Sequence, residues 1–349
     1  MVDDEVWYLT SGRRIGAAAL MLSFVALTSG LAAPAASAQS GVQVMRSLVY
    51  GEDRGQRLKL DAYVPETAGT ERPAVVFVHG GGWFRGGKSL FRNEATQIAQ
   101  MGWVTFSIDY DLDPPRWPAE LNDVMMAVKW VRDNAARFGV DPTSIGLVGS
   151  SAGGNLAALA GVWGEGSNTT GSRVRVVVSW SGPMDLTELI TQPEGPPGSC
   201  SFTLCAKRAE TIPPRVQDYI GCQLQSCPGD YRDASPITHV DPTDPPMLIA
   251  NGSEEVIPFN QAQAMHDTLD GSGVPNELVS VPGRKHARQY SAFIMPRTVS
   301  FLAQWISGRP RSGNGAGASI PWLPIASVVV VLLIIGLALL FTRRRSLIH

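Results

Sequence analysis

At 349 residues and 44% apolar content, the chain carries enough hydrophobic material for a real core, which excludes a wholly disordered polypeptide. A formal net charge of -2, with no long block of Lys or Arg away from the ends, excludes the electrostatic footprint of a nucleic-acid-binding protein. A small or neutral molecule is the expected ligand.

The first segment carries Arg13 and Arg14, an apolar run from Ile15 to Ala33, and then Ala36-Ser37-Ala38, a small-x-small cleavage pattern ahead of Gln39. Residues 1–38 are therefore expected to be a signal peptide. Asp3, Asp4 and Glu5 weaken its positive start, so an uncleaved anchor is the competing reading, and the Arg pair is only faintly that of a twin-arginine signal.

From residue 39 to residue 307, short β-branched runs alternate with longer helical stretches, the pattern of an α/β domain with a mostly parallel central sheet and helices on both faces. Expected strands are Gln43 to Tyr50, Arg57 to Val64, Ala74 to Val78, Val104 to Ile108, Ile145 to Val148, Val174 to Trp180, Met247 to Ala250 and Glu277 to Val281. Expected helices are Phe91 to Met101, Pro118 to Phe138, Ala152 to Val162, Asn260 to Asp270 and Tyr290 to Ile306. Residues 186–237, rich in Pro, Gly and Cys, fit neither period and are expected to be an excursion over the sheet.

That excursion holds all four cysteines, Cys200, Cys205, Cys222 and Cys227. An even count in an exported chain suggests two disulfides, and four cysteines admit three pairings. The local pairs Cys200–Cys205 and Cys222–Cys227 are the expected ones, because each closes a short loop without constraining distant chain. The spacing is C-x4-C twice with no His among them, which disfavours a zinc site, and no metal is expected.

Gly149-Ser150-Ser151-Ala152-Gly153 follows an apolar strand directly and opens a helix, the context that a nucleophile elbow requires. Small residues on either side of Ser151 let the turn fold tightly enough to lift its hydroxyl above the sheet edge. An alkoxide attacking a carbonyl creates an oxyanion, which needs N–H donors where the charge develops. The run His79-Gly80-Gly81-Gly82-Trp83 at the end of another strand supplies them, so Gly81, Gly82 and Ala152 are the expected oxyanion hole. A general base should come last in chain order, and His286, on a loop between the final strand and the final helix, fits. His79 reads as a structural hydrogen-bonder, and His239, His266 and His349 as packing or surface. The acid is expected after the strand Met247 to Ala250, in Asn251-Gly252-Ser253-Glu254-Glu255.

After the last helix, residues 308–319 have the Gly, Pro, Ser and Arg content of a linker. Ile325 to Phe341 carry no charge and are followed at once by Arg343, Arg344 and Arg345, so residues 320–341 are expected to cross a membrane and 342–349 to form a basic cytoplasmic tail. Leu323-Pro324-Ile325-Ala326-Ser327 is a poor match to a sortase signal. The expected localisation is a single-pass cell-membrane protein with its catalytic domain outside the cytoplasm.

Taken on His79 to Trp83, Asp109-Tyr110, Trp117-Pro118-Ala119, Asp123, Gly149 to Gly154, Glu255 and His286, the stretch from Arg57 to Ile306 resembles the hormone-sensitive-lipase-like esterases and neighbouring carboxylesterases of the α/β-hydrolase superfamily. The resemblance implies the α/β-hydrolase fold, a Ser-acid-His triad, no cofactor, and hydrolysis of short or medium acyl esters through an acyl-enzyme. Its register favours Glu255 as the acid, three residues past Gly252 and in a Glu-x-x-Pro pattern with Pro258, while a second count back from Pro258 selects Glu254. Asp241 and Asp244 stand behind both. Such relatives often begin with a helical cap, whereas here a strand pair comes first, so residues 186–237 become the candidate cover of the pocket. An amidase or peptidase on the same fold is the nearest rival, and a non-catalytic binding protein that kept the fold is the other.

Overall fold

The runs rich in Val, Ile and Phe pair into one sheet. The protein is described from a computed structural model covering residues 41–67, 69–112 and 117–307. Among them, eight strands form the sheet: β1 (Val42–Asp53), β2 (Gln56–Pro65), β3 (Arg72–Val78), β4 (Val104–Ile108), β5 (Val140–Ser150), β6 (Val176–Trp180), β7 (Met247–Gly252) and β8 (Asn276–Val281). They lie in the order β1-β2-β4-β3-β5-β6-β7-β8. β2 runs antiparallel to β1 and β4, and every other neighbouring pair is parallel. This is the α/β-hydrolase fold.

The inner strands have side chains buried on both faces, which is why they read as continuous apolar runs. Ala74, Val76 and Val78 of β3 enter one core layer with Leu121, Val124 and Val128 of α2 (Ala119–Asp133) and Leu156 of α3 (Ala152–Trp163). Val75 and Phe77 point to the opposite layer, with Ala95 and Ile98 of α1 (Arg92–Gln100). The strand period of two thus sorts one strand into two cores.

Boundaries differ where local chemistry intervenes. The helix expected from Pro118 to Phe138 breaks at Asn134, whose side-chain amide donates to the Trp130 carbonyl at 2.9 Å and competes with the helical ladder. A further turn, Ala135–Phe138, ends at Gly139 in the left-handed conformation. The larger correction is residues 186–237, which are mostly helical: α4 (Leu186–Thr191), α5 (Phe202–Ile220) and α6 (Pro228–Asp233). The buried face of α5 is Arg208, Ile212, Val216, Tyr219 and Ile220, a helical stripe whose first member is charged. Pro213 and Pro214 inside the helix further disguise it. Two more helices, α7 (Phe259–Gly271) and α8 (Ser291–Trp305), complete the layers.

Both local disulfides are present, Cys200–Cys205 and Cys222–Cys227, at Cα separations of 5.7 and 6.3 Å. They stand at the two ends of α5, and loops this short contribute about 2 kcal/mol each. The expected signal peptide, linker, membrane span and basic tail lie outside the described residues. Among those described, no helix is long and apolar enough to cross a membrane.

Candidate active site

Ser151 stands between β5 and α3 with φ 54° and ψ -125°, a left-handed conformation that costs a non-glycine residue on the order of 1–3 kcal/mol. Its neighbours make the turn sterically feasible. A Cβ on Gly149 would lie 2.0 Å from the Gly153 carbonyl oxygen, and one on Gly153 would lie 2.2 Å from the Val78 oxygen. The Ser151 amide donates to the Trp180 carbonyl at 2.7 Å, and its own carbonyl accepts from Gly154 and Asn155 at 2.8 and 3.0 Å, so the strained residue is held from both sides. Asn155, buried in α3, donates to the carbonyls of Pro183 and Ala234 at 3.0 and 3.2 Å and ties the elbow to the cover.

His286, on the loop after β8, places Nε2 2.8 Å from Ser151 Oγ. Its Nδ1 is hydrogen-bonded to Glu255 Oε2. A buried carboxylate facing a ring nitrogen accepts, so Nδ1 carries the proton and Nε2 is left to accept from the serine. The Glu255 side chain is fully buried. Its Oε1 accepts from the Gly252 amide and from Ser181 Oγ, each at 2.6 Å. Ser181 Oγ in turn accepts from the Ala287 amide at 2.9 Å, one residue past His286. Tyr290 lies 2.7 Å from Ser181 Oγ and 3.0 Å from the Ala250 carbonyl. One serine thereby fixes both Glu255 and the backbone beside His286.

Glu254 faces the other way. Its side chain is 56% exposed and sits 3.5 Å from Arg284 Nε, which removes it from the imidazole. Asp244 accepts from the Asp241 amide at 2.8 Å in the turn before β7, and neither reaches His286. His239 lies tilted against Trp163, ring centroids 4.5 Å apart, and His266 binds Asn276 and lies 3.6 Å from Asp270, so both are packing or surface groups.

The glycine loop after β3 passes directly against the elbow. A Cβ on Gly80 would be 2.9 Å from Ser151 Cβ and 2.5 Å from the Ser150 oxygen, so only glycine fits. Among the described residues, no acceptor is paired with the amides of Gly81, Gly82 or Ala152. Ala152 opens α3, where the first N–H groups have no intrahelical partner and the helix dipole favours negative charge. His79 is fully buried beneath this loop, with Nδ1 2.9 Å from the Gly80 oxygen and its ring stacked on Tyr110 at 4.3 Å. Burial lowers its pKa to about 4, so it is a neutral strut.

Ser151 and His286 open into a cavity of about 690 Å³ walled by Trp83, Leu189, Ile212, Val216, Val256 and Ile257. Helix α5 supplies part of that wall and is anchored by Arg208, which sequence reasoning missed. Its Nε and Nη2 donate to the Glu255 carbonyl at 3.0 and 2.5 Å, and Nη1 donates to Glu194 O at 2.7 Å. Burial lowers the pKa of this guanidinium, with the Glu255 charge opposing. Stacking of Trp83 on Tyr219, centroids 4.4 Å apart, joins the glycine loop to the same helix.

A family model described as BD-FAE matches residues 60–269, more than half of the chain. Esterase LipC of Mycobacterium tuberculosis is 34% identical over 238 residues, covering 64% of this chain and 54% of that protein. Esterase LipQ of the same organism is 28% identical over 246 residues, covering 66% and 54%. The chain spans about half the length of these curated relatives. Among solved structures, a truncated carbohydrate esterase from gut microbiota superposes with a TM-score of 0.64 at 26% identity, covering 77% of this chain and 98% of that one.

Proposed function

The chain belongs to the BD-FAE family within the α/β-hydrolase superfamily, and from that premise we propose that it is a serine carboxylesterase acting on short or medium acyl esters through a Ser151–His286–Glu255 triad. The observation that carries this reading is the unbroken hydrogen-bond relay from Ser151 Oγ through His286 to Glu255 at the mouth of an apolar cavity. Ser151 Oγ adds to the ester carbonyl carbon as His286 Nε2 takes its proton, and the carbonyl oxygen becomes an oxyanion held by the amides of Gly81, Gly82 and Ala152. Collapse expels the alcohol, which takes the proton back from Nε2 and leaves acyl-Ser151. Water then repeats the sequence, giving its proton to Nε2 and releasing the acid and free Ser151. Glu255 fixes the imidazole tautomer and stabilises the imidazolium.

Esters are favoured over amides by the names of the relatives, which are esterases. With p-nitrophenyl butyrate and the matching p-nitroanilide, the ester is expected to turn over faster by at least roughly tenfold. Faster anilide hydrolysis would make the protein an amidase.

The domain faces the outside of the cytoplasm, a reading supported by two disulfides that reducing compartments do not sustain. Protease added to intact cells is expected to remove the esterase activity. Protection that ends only when the cells are broken would reverse the topology.

A further inference from the structure

Four cations surround the cavity: Arg85, Lys207, Arg215 and Arg288. No Asp or Glu lines it among the described residues, although the whole chain carries a formal charge of -2. The cations arrive from three separate elements. Lys207 and Arg215 sit with Thr211 between them at successive four-residue steps of α5, so one stripe of that helix faces the cavity. Arg85 follows the glycine loop, and Arg288 lies two residues past His286.

Their surroundings leave part of this charge uncompensated. The Arg215 guanidinium carbon is 4.0 Å from the centre of the Phe84 ring and that of Arg85 is 5.2 Å, so two cations contact one aromatic ring beside the oxyanion loop. A Cβ on Gly82 would lie 4.0 Å from Arg215 Cδ, which brings this side chain against the loop. The ion pair of Arg215 with Asp218 is long, 3.7 Å, with both side chains about half exposed, and it neutralises little. Arg288 is paired with Glu94 at 3.5 Å. No ion pair holds Arg85 or Lys207 among the described residues. A cleft lined by one sign of charge over apolar walls concentrates the field on whatever enters.

We propose that the physiological ester is anionic: the molecule that carries the scissile ester also carries a carboxylate or phosphate, read by Lys207 and Arg215 of α5 together with Arg85. Leu189, Ile212, Val216, Val256 and Ile257 contact its apolar part. This inference rests on the esterase reading and narrows it to a substrate class.

The test uses two matched pairs of chromogenic esters with the purified full chain. 5-(Butanoyloxy)-2-nitrobenzoate against 4-nitrophenyl butyrate puts the charge on the alcohol side, and mono-4-nitrophenyl adipate against 4-nitrophenyl hexanoate puts it on the acyl side. At least one anionic ester is expected to exceed its neutral match about tenfold in kcat/KM at low salt. The gap should narrow as salt rises to about 0.5 M, because the cations are partly solvated. In the double variant K207Q/R215Q the anionic-to-neutral ratio should fall toward one, while R215K retains most of it. A ratio is read within each protein, so partial misfolding, which lowers both rates, does not mimic the result. Hydrolysis of the neutral esters with no anionic gain, or a ratio unchanged in the double variant, overturns this inference alone. Hydrolysis of none of the four overturns the esterase reading and this one with it.

Discussion

Ser151→Ala is expected to lose on the order of 10³-fold or more in kcat on p-nitrophenyl butyrate, with a thermal unfolding midpoint close to that of the unaltered protein. In the proposed mechanism the activity falls because Oγ is the atom that bonds to the acyl carbon, and no other described hydroxyl lies against His286 Nε2. What should survive is the stabilisation that the proposed oxyanion hole, the amides of Gly81, Gly82 and Ala152, gives to water attacking directly. The fold survives because alanine keeps the Cβ at the same left-handed φ of 54°, so the strain stored at the elbow is unchanged. Ser151→Gly is the informative partner variant: equally inactive but more stable than Ser151→Ala, since glycine relieves that strain. An organophosphate probe separates Ser151 from its neighbour Ser150, which is buried at the end of β5. A label mapped to Ser150, or one that persists in Ser151→Ala, would remove Ser151 from the chemistry.

What was legible in the sequence and what was not divides along a physical line. The inner strands were readable because parallel strands buried on both faces need apolar residues at every position, so Val75 to Val78 and Val176 to Val178 announce themselves. The elbow and the glycine loop were readable because close backbone approach demands glycine locally, at Gly80, Gly149 and Gly153. Helix α5 was not, since it buries an arginine and contains two prolines, each of which argues for a loop when taken alone. Ser181 escaped notice for a different reason. Its bond to Glu255 spans 74 positions, and nothing around Ser181 signals a partner so far away. Arg208 is the same case at a separation of 47. The cationic rim is assembled from the glycine loop, α5 and the turn after His286, and it exists only once the fold has brought them together.

Residue counting leaves both Glu254 and Glu255 as candidates, the proposed triad takes the buried one, and that choice gives the second large expected effect. Glu255→Ala should lose on the order of 10³ to 10⁴-fold in kcat with little change in KM, because in the proposed triad the carboxylate acts through the imidazole, which it orients and stabilises. Its removal also strands the Gly252 amide and the Ser181 hydroxyl, each of which donates to it at 2.6 Å, so a lower unfolding temperature should accompany the loss. Glu255→Gln keeps the shape and much of the stability but offers the ring a neutral amide, and its kcat should still fall by a similar factor. That pair of variants separates a catalytic effect from a folding effect. Glu255→Asp should be intermediate, its carboxylate one methylene short of the ring. Glu254→Ala should stay within about tenfold of the unaltered enzyme, because its exposed side chain faces Arg284 and a surface ion pair of this kind contributes little. If Glu254→Ala is instead the inactive variant, the exposed carboxylate must swing inward during turnover and the acid has been assigned one residue too late. If neither loses activity, Asp241 or Asp244 would have to reach the imidazole, and the turn that locks Asp244 onto the Asp241 amide would have to open for it to do so.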